Sequence, residues 1–204
     1  MRLVQKILFA STNRLKFLEF QSLFQTYSFE LLPAEKLLSN PRHLQDAEQH
    51  STYLENAMSK AKLAQRACHY PTLADDSGLE VDALDGKPGV LSRRFTQAFP
   101  QASSPQEALL KSLKEERKAT FVCVLSFMME GISLHVEARV RGMIASEPRG
   151  ERGFGYDALF IPEGQTKTFA EMTLAEKNTL SHRACAFQML LKDFEKRGLV
   201  LVKP

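Results

Sequence analysis

Two adjacent aspartates, Asp75 and Asp76, follow the apolar pair Leu73 and Ala74 and precede Ser77 and Gly78. Successive side chains of a strand point to opposite faces. The two carboxylates can therefore serve one cation only where the strand has ended, or with one acting from behind the other. Gly78 predicts such an end, giving two short strands broken over residues 75–78. Hard oxygen donors without a neighbouring His or Cys suit magnesium or manganese better than zinc. Glu48, in a long polar segment, is the natural second ligand, with Asp46 in reserve. The alternative reading of the same residues is an Asp-rich solvated turn.

Three other stretches carry chemistry. In ASTNRLK, residues 10–16, an apolar run enters a polar turn and then a helix, so backbone N–H groups at the helix start attract anions. Ser11, Thr12 and Asn13 add side-chain donors and Lys16 adds a full positive charge, which suits a phosphate. An ordinary N-capped helix with a solvated lysine fits the segment as well. No G-x-x-x-x-G-K-[ST] loop occurs in the chain. GFGYD, residues 153–157, reads either as a turn with inward aromatics or as a ring platform for a planar base. Lys177, His182 and Arg183 would supply donors around that base, or form a polar helix start at the surface.

These residues need elements to hold them. Residues 6–10 read as a buried strand, and Phe17, Phe20, Phe24 and Tyr27 mark one face of a helix beginning near Asn13. Residues 29–32 form a second strand, and residues 33–49 a polar, irregular loop long enough for a lid. Thr52 and Glu55 have capping-box spacing. Leu54, Ala57, Met58, Ala61, Ala64 and Cys68 then make a helical stripe, with Asn56 and Lys60 on a face away from its centre. Residues 104–118 read as a surface helix. Residues 121–129 are nearly all apolar, Glu130-Gly131 is a turn, and residues 132–141 alternate cleanly, which makes an antiparallel hairpin. Leu180, Ala184, Phe187, Leu191 and Phe194 mark a last long helix, with His182 and Arg183 off its apolar stripe. Gly198 ends it, and residues 199–202 return to the sheet. The pattern predicts an α/β fold with a mixed sheet flanked by helices.

The bulk properties narrow the class. The 204 residues suit one domain or two lobes sharing a core, and 44% hydrophobic with 25% charged residues is ordinary globular composition. A net charge of +3 without a Lys/Arg block gives no case for a nucleic-acid partner. Three scattered cysteines, Cys68, Cys123 and Cys185, make neither a disulfide framework nor a zinc ribbon. The N-terminal stretch is too soon polar for a secretory segment, and no run has membrane-spanning length. The expectation is a cytoplasmic protein with reduced thiols and no membrane partner.

In order along the chain come SxNxxK, ADDSGLxVDALxGxPGV, GFGYDxxF, TFAEM and EKNxxSHR. Taken together, from Ile7 to about Leu190, they resemble the non-canonical purine nucleoside triphosphate pyrophosphatases, the inosine/xanthosine triphosphatase family. The resemblance implies an elongated α/β protein, with a long mixed sheet splitting into two lobes, the active cleft between them, and a homodimer. Residues 1–204 would be a single domain. The implied reaction is magnesium-dependent hydrolysis of ITP, dITP and XTP or dXTP to the monophosphate and pyrophosphate, clearing deaminated purines from the nucleotide pool. Manganese is the expected substitute.

By the same resemblance, Ser11, Thr12, Asn13, Lys16 and Lys60 hold the triphosphate. Glu48 and Asp76 bind the metal, Asp76 activates water, and Ser77 contacts substrate. Phe154 stacks on the base, with Gly155, Tyr156, Asp157, Lys177, His182 and Arg183 around it. Donors facing the six-position carbonyl of hypoxanthine or xanthine would be left unpaired by the adenine amino group, which gives selectivity. The chain departs from the family pattern at Thr12, His50 and Ala184, where glycine is common, at Ala158, where proline is usual, and at Arg93, an added charge beside Arg94. None of these removes a functional group.

Overall fold

The computed structural model describes residues 2, 3, 5–25, 27, 29–99 and 101–200. A two-residue strand β1, Arg2–Leu3, precedes β2, Lys6–Phe9, in which Ile7, Leu8 and Phe9 are fully buried. Helix α1, Arg14–Phe24, starts at Asn13 as expected and stops before Tyr27, which still packs against the core. Strand β3, Glu30–Pro33, follows. The expected irregular loop is in fact partly helical: α2, Ala34–Leu37, and α3, His43–Asp46, each make one turn. Helix α4, Tyr53–Cys68, is capped by Thr52, whose hydroxyl accepts from the Glu55 N–H.

Strand β4, Thr72–Val81, is continuous through Asp75–Gly78, so the expected break does not exist. Residues 75 and 76 therefore alternate in direction. A 3₁₀ turn at Asp82–Leu84, strand β5, Pro88–Gly89, and a second 3₁₀ turn at Ser92–Ala98 lead to α5, Pro105–Ser112, shorter than expected because β6 already begins at Lys118. Strands β6, Lys118–Met129, and β7, Ile132–Ile144, form the expected hairpin around Glu130 and Gly131, which has φ of 73°. Strand β8, Phe160–Pro162, one-turn helix α6, Leu174–Lys177, helix α7, His182–Lys196, and strand β9, Leu199–Val200, complete the described chain. Residues 201 and 202, expected to extend that last strand, lie outside the described residues.

Among the described residues the main sheet has seven strands in the order β3-β2-β4-β6-β7-β8, with β5 on β4. Pairs β2–β3 and β2–β4 are parallel, while β4–β5 and β7–β8 are antiparallel. The sheet is mixed: helix α1 carries the crossover between the parallel strands β2 and β3, whereas β4 and β5 are joined through the 3₁₀ turn at Asp82–Leu84 and β7 and β8 through residues 145–159. Strands β1 and β9 pair separately in parallel.

The chain divides into two compact units. The first takes residues up to Asp76, Cys123–Ala138 and those from Arg183 on; the second takes Ser77–Val122 and Arg139–His182. The first has an aromatic core in which Phe24 meets Phe29 edge-on at 4.5 Å and Phe187 at 4.5 Å, alongside a small-residue cluster of Ala10, Ala61, Ala64 and Ala74. Ring pairs of this kind add about 0.5–1.5 kcal/mol each beyond area burial. The second is built on Phe121, Phe160 and Phe169, with Leu79, Val81, Tyr156 and Leu159. Among the described residues no helix is long and apolar enough to cross a membrane.

Candidate functional site

In the first unit, the turn before α1 is closed by its own side chains. Ser11 Oγ accepts from the Asn13 N–H at 3.1 Å, and Asn13 Oδ1 accepts from the N–H groups of Leu15 at 3.0 Å and Lys16 at 3.2 Å. This is the N-cap chemistry a polar residue before a helix should perform. The extra bulk at Thr12 is used, since its Oγ1 accepts from Gln45 Nε2 at 2.8 Å.

Strand alternation sends the two aspartates to different partners. Asp75 is completely buried. It forms an ion pair with Lys16, accepts from Cys123 Sγ at 3.1 Å, and has Arg183 Nε 3.9 Å away. Arg183 in turn donates from Nη1 to Glu19 at 2.9 Å. Burial alone would push the Asp75 carboxyl up, but the charges of Lys16, Arg183 and Lys60 hold it well below the ordinary aspartate range.

Asp76 faces α4. Its Oδ1 accepts from Lys60 Nζ at 3.1 Å and its Oδ2 from Asn56 Nδ2 at 3.2 Å. The same Lys60 ammonium donates to Glu48 Oε1 at 2.6 Å and to the Asp75 carbonyl at 2.7 Å. Burial pushes the Asp76 carboxyl up against the pull of Lys60 and Lys16, and Glu48 adds to the rise, so the net shift is upward. Burial pushes Lys60 down, but Asp76, Glu48 and Asp75 outweigh it and its pKa is raised.

The expectation that Asn56 and Lys60 lie away from the buried stripe is corrected here. Both are 2% exposed, whereas Leu54, assigned to that stripe, is 41% exposed. The acceptors gathered around Lys60 decide which face of α4 turns inward, because a buried ammonium must be paired.

In the second unit, GFGYD forms a tight loop with Gly153 at φ 75° and Gly155 at φ 60°. A Cβ on Gly153 would collide with the Asp157 carboxylate, so the loop needs glycine for space as well as for backbone angle. Asp157 Oδ2 accepts from the Phe154 N–H at 2.8 Å and from Lys177 Nζ at 2.7 Å. That ammonium lies 5.5 Å from the centre of the Phe154 ring and 5.3 Å from that of Phe169. Tyr156 is buried and donates to the Ser92 carbonyl at 3.1 Å, while the Gly155 carbonyl accepts from Gln106.

His182 is not off the apolar face as expected. It is fully buried and stacked on Phe121, with ring centres 4.4 Å apart and planes 7° from parallel. Arg183, one residue on, is likewise buried and takes its partners from the first unit. Ser77, next to Asp76, is half-buried in the second unit.

The residues expected to do chemistry thus gather into two groups. Lys16, Glu48, Lys60, Asp76 and Arg183 share one charged network with Asp75 in the first unit, beside the Ser11–Asn13 turn. Phe154, Gly155, Tyr156, Asp157 and Lys177 share a loop and its lysine in the second. Sequence reasoning missed Glu19, Gln45, Asn56 and Cys123. For Asn56 the signal was its place four residues before Lys60; Cys123 sits in a plain apolar run and offered none.

The carboxylates of Glu48 and Asp76 fit a hard divalent cation. They come from separate elements and converge on one ammonium, so a positive charge between them is already part of the design. Among the described residues no group of three or more His, Cys, Asp or Glu side chains could hold a metal. Two carboxylates suit magnesium, which completes its shell with water and substrate oxygens.

Comparison with known proteins gives the family. The dITP/XTP pyrophosphatase of Aquifex aeolicus (strain VF5) is 40% identical to this chain over 206 aligned positions, covering 94% of this chain and 98% of that protein. The dITP/XTP pyrophosphatase of Bacillus subtilis (strain 168) is 37% identical, covering 96% and 100%. A solved HAM1 protein from Coxiella burnetii superposes with a TM-score of 0.77 at 31% identity, covering 95% of this chain and all of that one. The model of the Ham1 family matches residues 7–193, a span that contains both groups of residues from the Ser11 turn to Arg183, and the chain belongs to the Ham1 family.

Proposed function

We propose that this chain hydrolyses non-canonical purine nucleoside triphosphates, dITP, ITP and XTP or dXTP, to the nucleoside monophosphate and pyrophosphate, clearing deaminated purines from the nucleotide pool. The observation that carries the reading is the Lys60 ammonium, which touches Glu48 and Asp76 at once within a buried network that also holds Lys16. That concentration of opposite charge is what a polyphosphate and its counter-cation require. Relatives named dITP/XTP pyrophosphatase support the substrate class.

In this reading Ser11, Thr12, Asn13, Lys16 and Lys60 bind the triphosphate, and Glu48 and Asp76 would hold magnesium, or manganese in its place. A bound divalent ion would neutralise phosphate charge. Lys16 and Lys60 carry the same neutralisation through their ammonium groups as charge builds on the transferring oxygens. Asp76, raised in pKa and still hydrogen-bonded at both oxygens, accepts a proton from the attacking water or orients it. Ser77 adds a substrate contact.

The second unit's residues serve the purine. Phe154 offers a ring face, and Lys177, beside it, offers a donor for the carbonyl at the six position. Gly155, Tyr156 and Asp157 shape that loop, His182 belongs to the same purine-side set, and Arg183, in the first unit's charged network, completes the substrate-binding residues. Residues 1–204 then act as one pyrophosphohydrolase domain, working in the cytoplasm as a homodimer with neither nucleic acid nor membrane as partner.

The test is a substrate panel of dITP, ITP, XTP, GTP, ATP and dCTP, with and without magnesium, analysed for pyrophosphate against orthophosphate. The expected result is magnesium-dependent pyrophosphate release favouring the first three. Orthophosphate as first product, or equal rates on ATP and dITP, would overturn it.

A further inference from the structure

We infer that Asn56 is a positioning residue of this reaction: its amide locks the Glu48-bearing segment to α4 and at the same time orients the Asp76 carboxylate. The inference rests on the functional reading above and adds a residue to it.

Asn56 is 2% exposed on the first turn of α4. A buried amide left unpaired is destabilising, so its partners define why it is there. Its Oδ1 accepts from the His50 N–H at 2.9 Å, and its Nδ2 lies 3.4 Å from the His50 carbonyl. The side chain thus pairs with both backbone groups of one residue, its N–H and its carbonyl, two residues after Glu48. The Nδ2 group also donates to Asp76 Oδ2 at 3.2 Å. These contacts use both N–H donors of the amide and its acceptor oxygen.

The consequence is a division of labour at Asp76. Lys60 holds Oδ1 and Asn56 holds Oδ2, so the carboxylate cannot rotate without losing one partner. Glu48 is fixed from two sides as well, by its own bond to Lys60 and by the grip on His50. One helix, through residues four apart, therefore sets the relative placement of both carboxylates. Charged residues hold charge; the neutral amide supplies direction without adding charge between the two acids. An aspartate of the same size could still accept from the His50 N–H, but it would donate nothing and would set a third negative charge beside Asp76.

Two variants separate these roles. Asn56→Asp keeps the acceptor for His50 and loses the donor to Asp76, and Asn56→Leu loses both. With dITP, both are expected to lower kcat about 10- to 100-fold, the range for removing a hydrogen bond to a charged group, while KM changes less than about threefold, because the triphosphate contacts stay in place. Mn2+ binding to the substrate-free protein, read by electron paramagnetic resonance, should weaken about tenfold or more in Asn56→Leu. Hydrogen exchange at the His50 amide should accelerate in Asn56→Leu and stay slow in Asn56→Asp. If Asn56→Leu does not fold, Asn56→Asp, nearly isosteric and still bonded to His50, decides the matter through kcat. Folded variants with unchanged kcat and unchanged Mn2+ affinity would overturn the inference, as would a loss carried by KM alone. If the unaltered protein releases no pyrophosphate from dITP, the functional reading falls, and Mn2+ affinity with His50 exchange still decides whether Asn56 organises the two carboxylates.

Discussion

Two lysines, one in each unit, are almost completely buried, and they are held in opposite ways. Lys60, 2% exposed, gives its three donors to Glu48, Asp76 and the Asp75 carbonyl. Lys177, 3% exposed, meets the Asp157 carboxylate and lies against the rings of Phe154 and Phe169. The first arrangement joins two carboxylates and a backbone carbonyl and works by pulling separate acids together. The second combines one ion pair with ring faces, whose attraction for a cation is weaker, about 0.5–2 kcal/mol, and less demanding in geometry. The contrast teaches that a buried positive charge can be an organiser of charge or a donor displayed beside an aromatic surface. The surrounding acceptors decide which.

The contrast can be broken from either side. The largest effect belongs to Asp76→Asn, which keeps the shape but removes the proton acceptor. Turnover should fall by about 10²–10⁴-fold, with an unchanged circular dichroism spectrum, and near-normal turnover in the folded variant would remove Asp76 from the chemistry. Lys60→Met comes next. It strands Glu48 and Asp76 against each other, and breaking a buried pair costs about 3–5 kcal/mol, read as a fall in urea midpoint, together with loss of turnover.

Lys177→Met should be milder. The Phe154 N–H still holds Asp157, and a thioether packs well against rings, so a stability loss of about 1–3 kcal/mol is expected. Its clearer signature is selectivity: the preference for dITP over ATP should shrink by roughly tenfold or more as the six-position donor disappears. Equal urea midpoints and unchanged selectivity for the two methionine variants would erase the distinction between the lysines.

The smallest effect is in the pH dependence of stability, where the neighbouring aspartates have opposite signs. Asp75 is held below its ordinary value, so the stability it contributes is present above the ordinary aspartate range and is lost as pH falls below it. Asp76 is raised, so its contribution is full below that range and declines as pH rises through its folded value. Urea midpoints across the acid range should fall less steeply with acid in Asp75→Asn. An unchanged acid-side slope would show that Lys16 and Arg183 do not hold that carboxyl down.

Much of this was legible in the residues. Asn13 as a helix cap, the alternating strand after Gly131, the nearly all-apolar strand before it and the helix after Ser181 all follow from local rules, because caps, turns and periodicity act over a few residues. The break predicted at Gly78 does not exist: one glycine does not end a strand held by β2 at residues 72–73 and by β5 at residues 79–80, and β4 runs on to Val81. The inward face of α4 holds Ala57, Ala61 and Ala64 as expected, but it is broader than the apolar stripe, taking in Asn56 and Lys60 and leaving Leu54 out. Alanines and a leucine suggested one stripe, but Asn56 and Lys60 turn inward because their acceptors come from distant segments, invisible to any window along α4. His182 was likewise placed off the apolar face, since nothing nearby in sequence announces the ring of Phe121 that it stacks on.

By itself, then, the sequence determined which groups were available: acids at 48, 75 and 76, lysines at 16, 60 and 177, and a glycine-spaced aromatic loop, in an order that carries the family resemblance. Only the tertiary structure decided their assignments. It sent Asp75 to Lys16 and Arg183 and Asp76 to Lys60 and Asn56, and it buried both aspartates with Lys60, Asn56 and Arg183. The physical reason is that strand alternation makes neighbours in sequence strangers in space, while the cost of burying charge forces each one to find a partner from far along the chain.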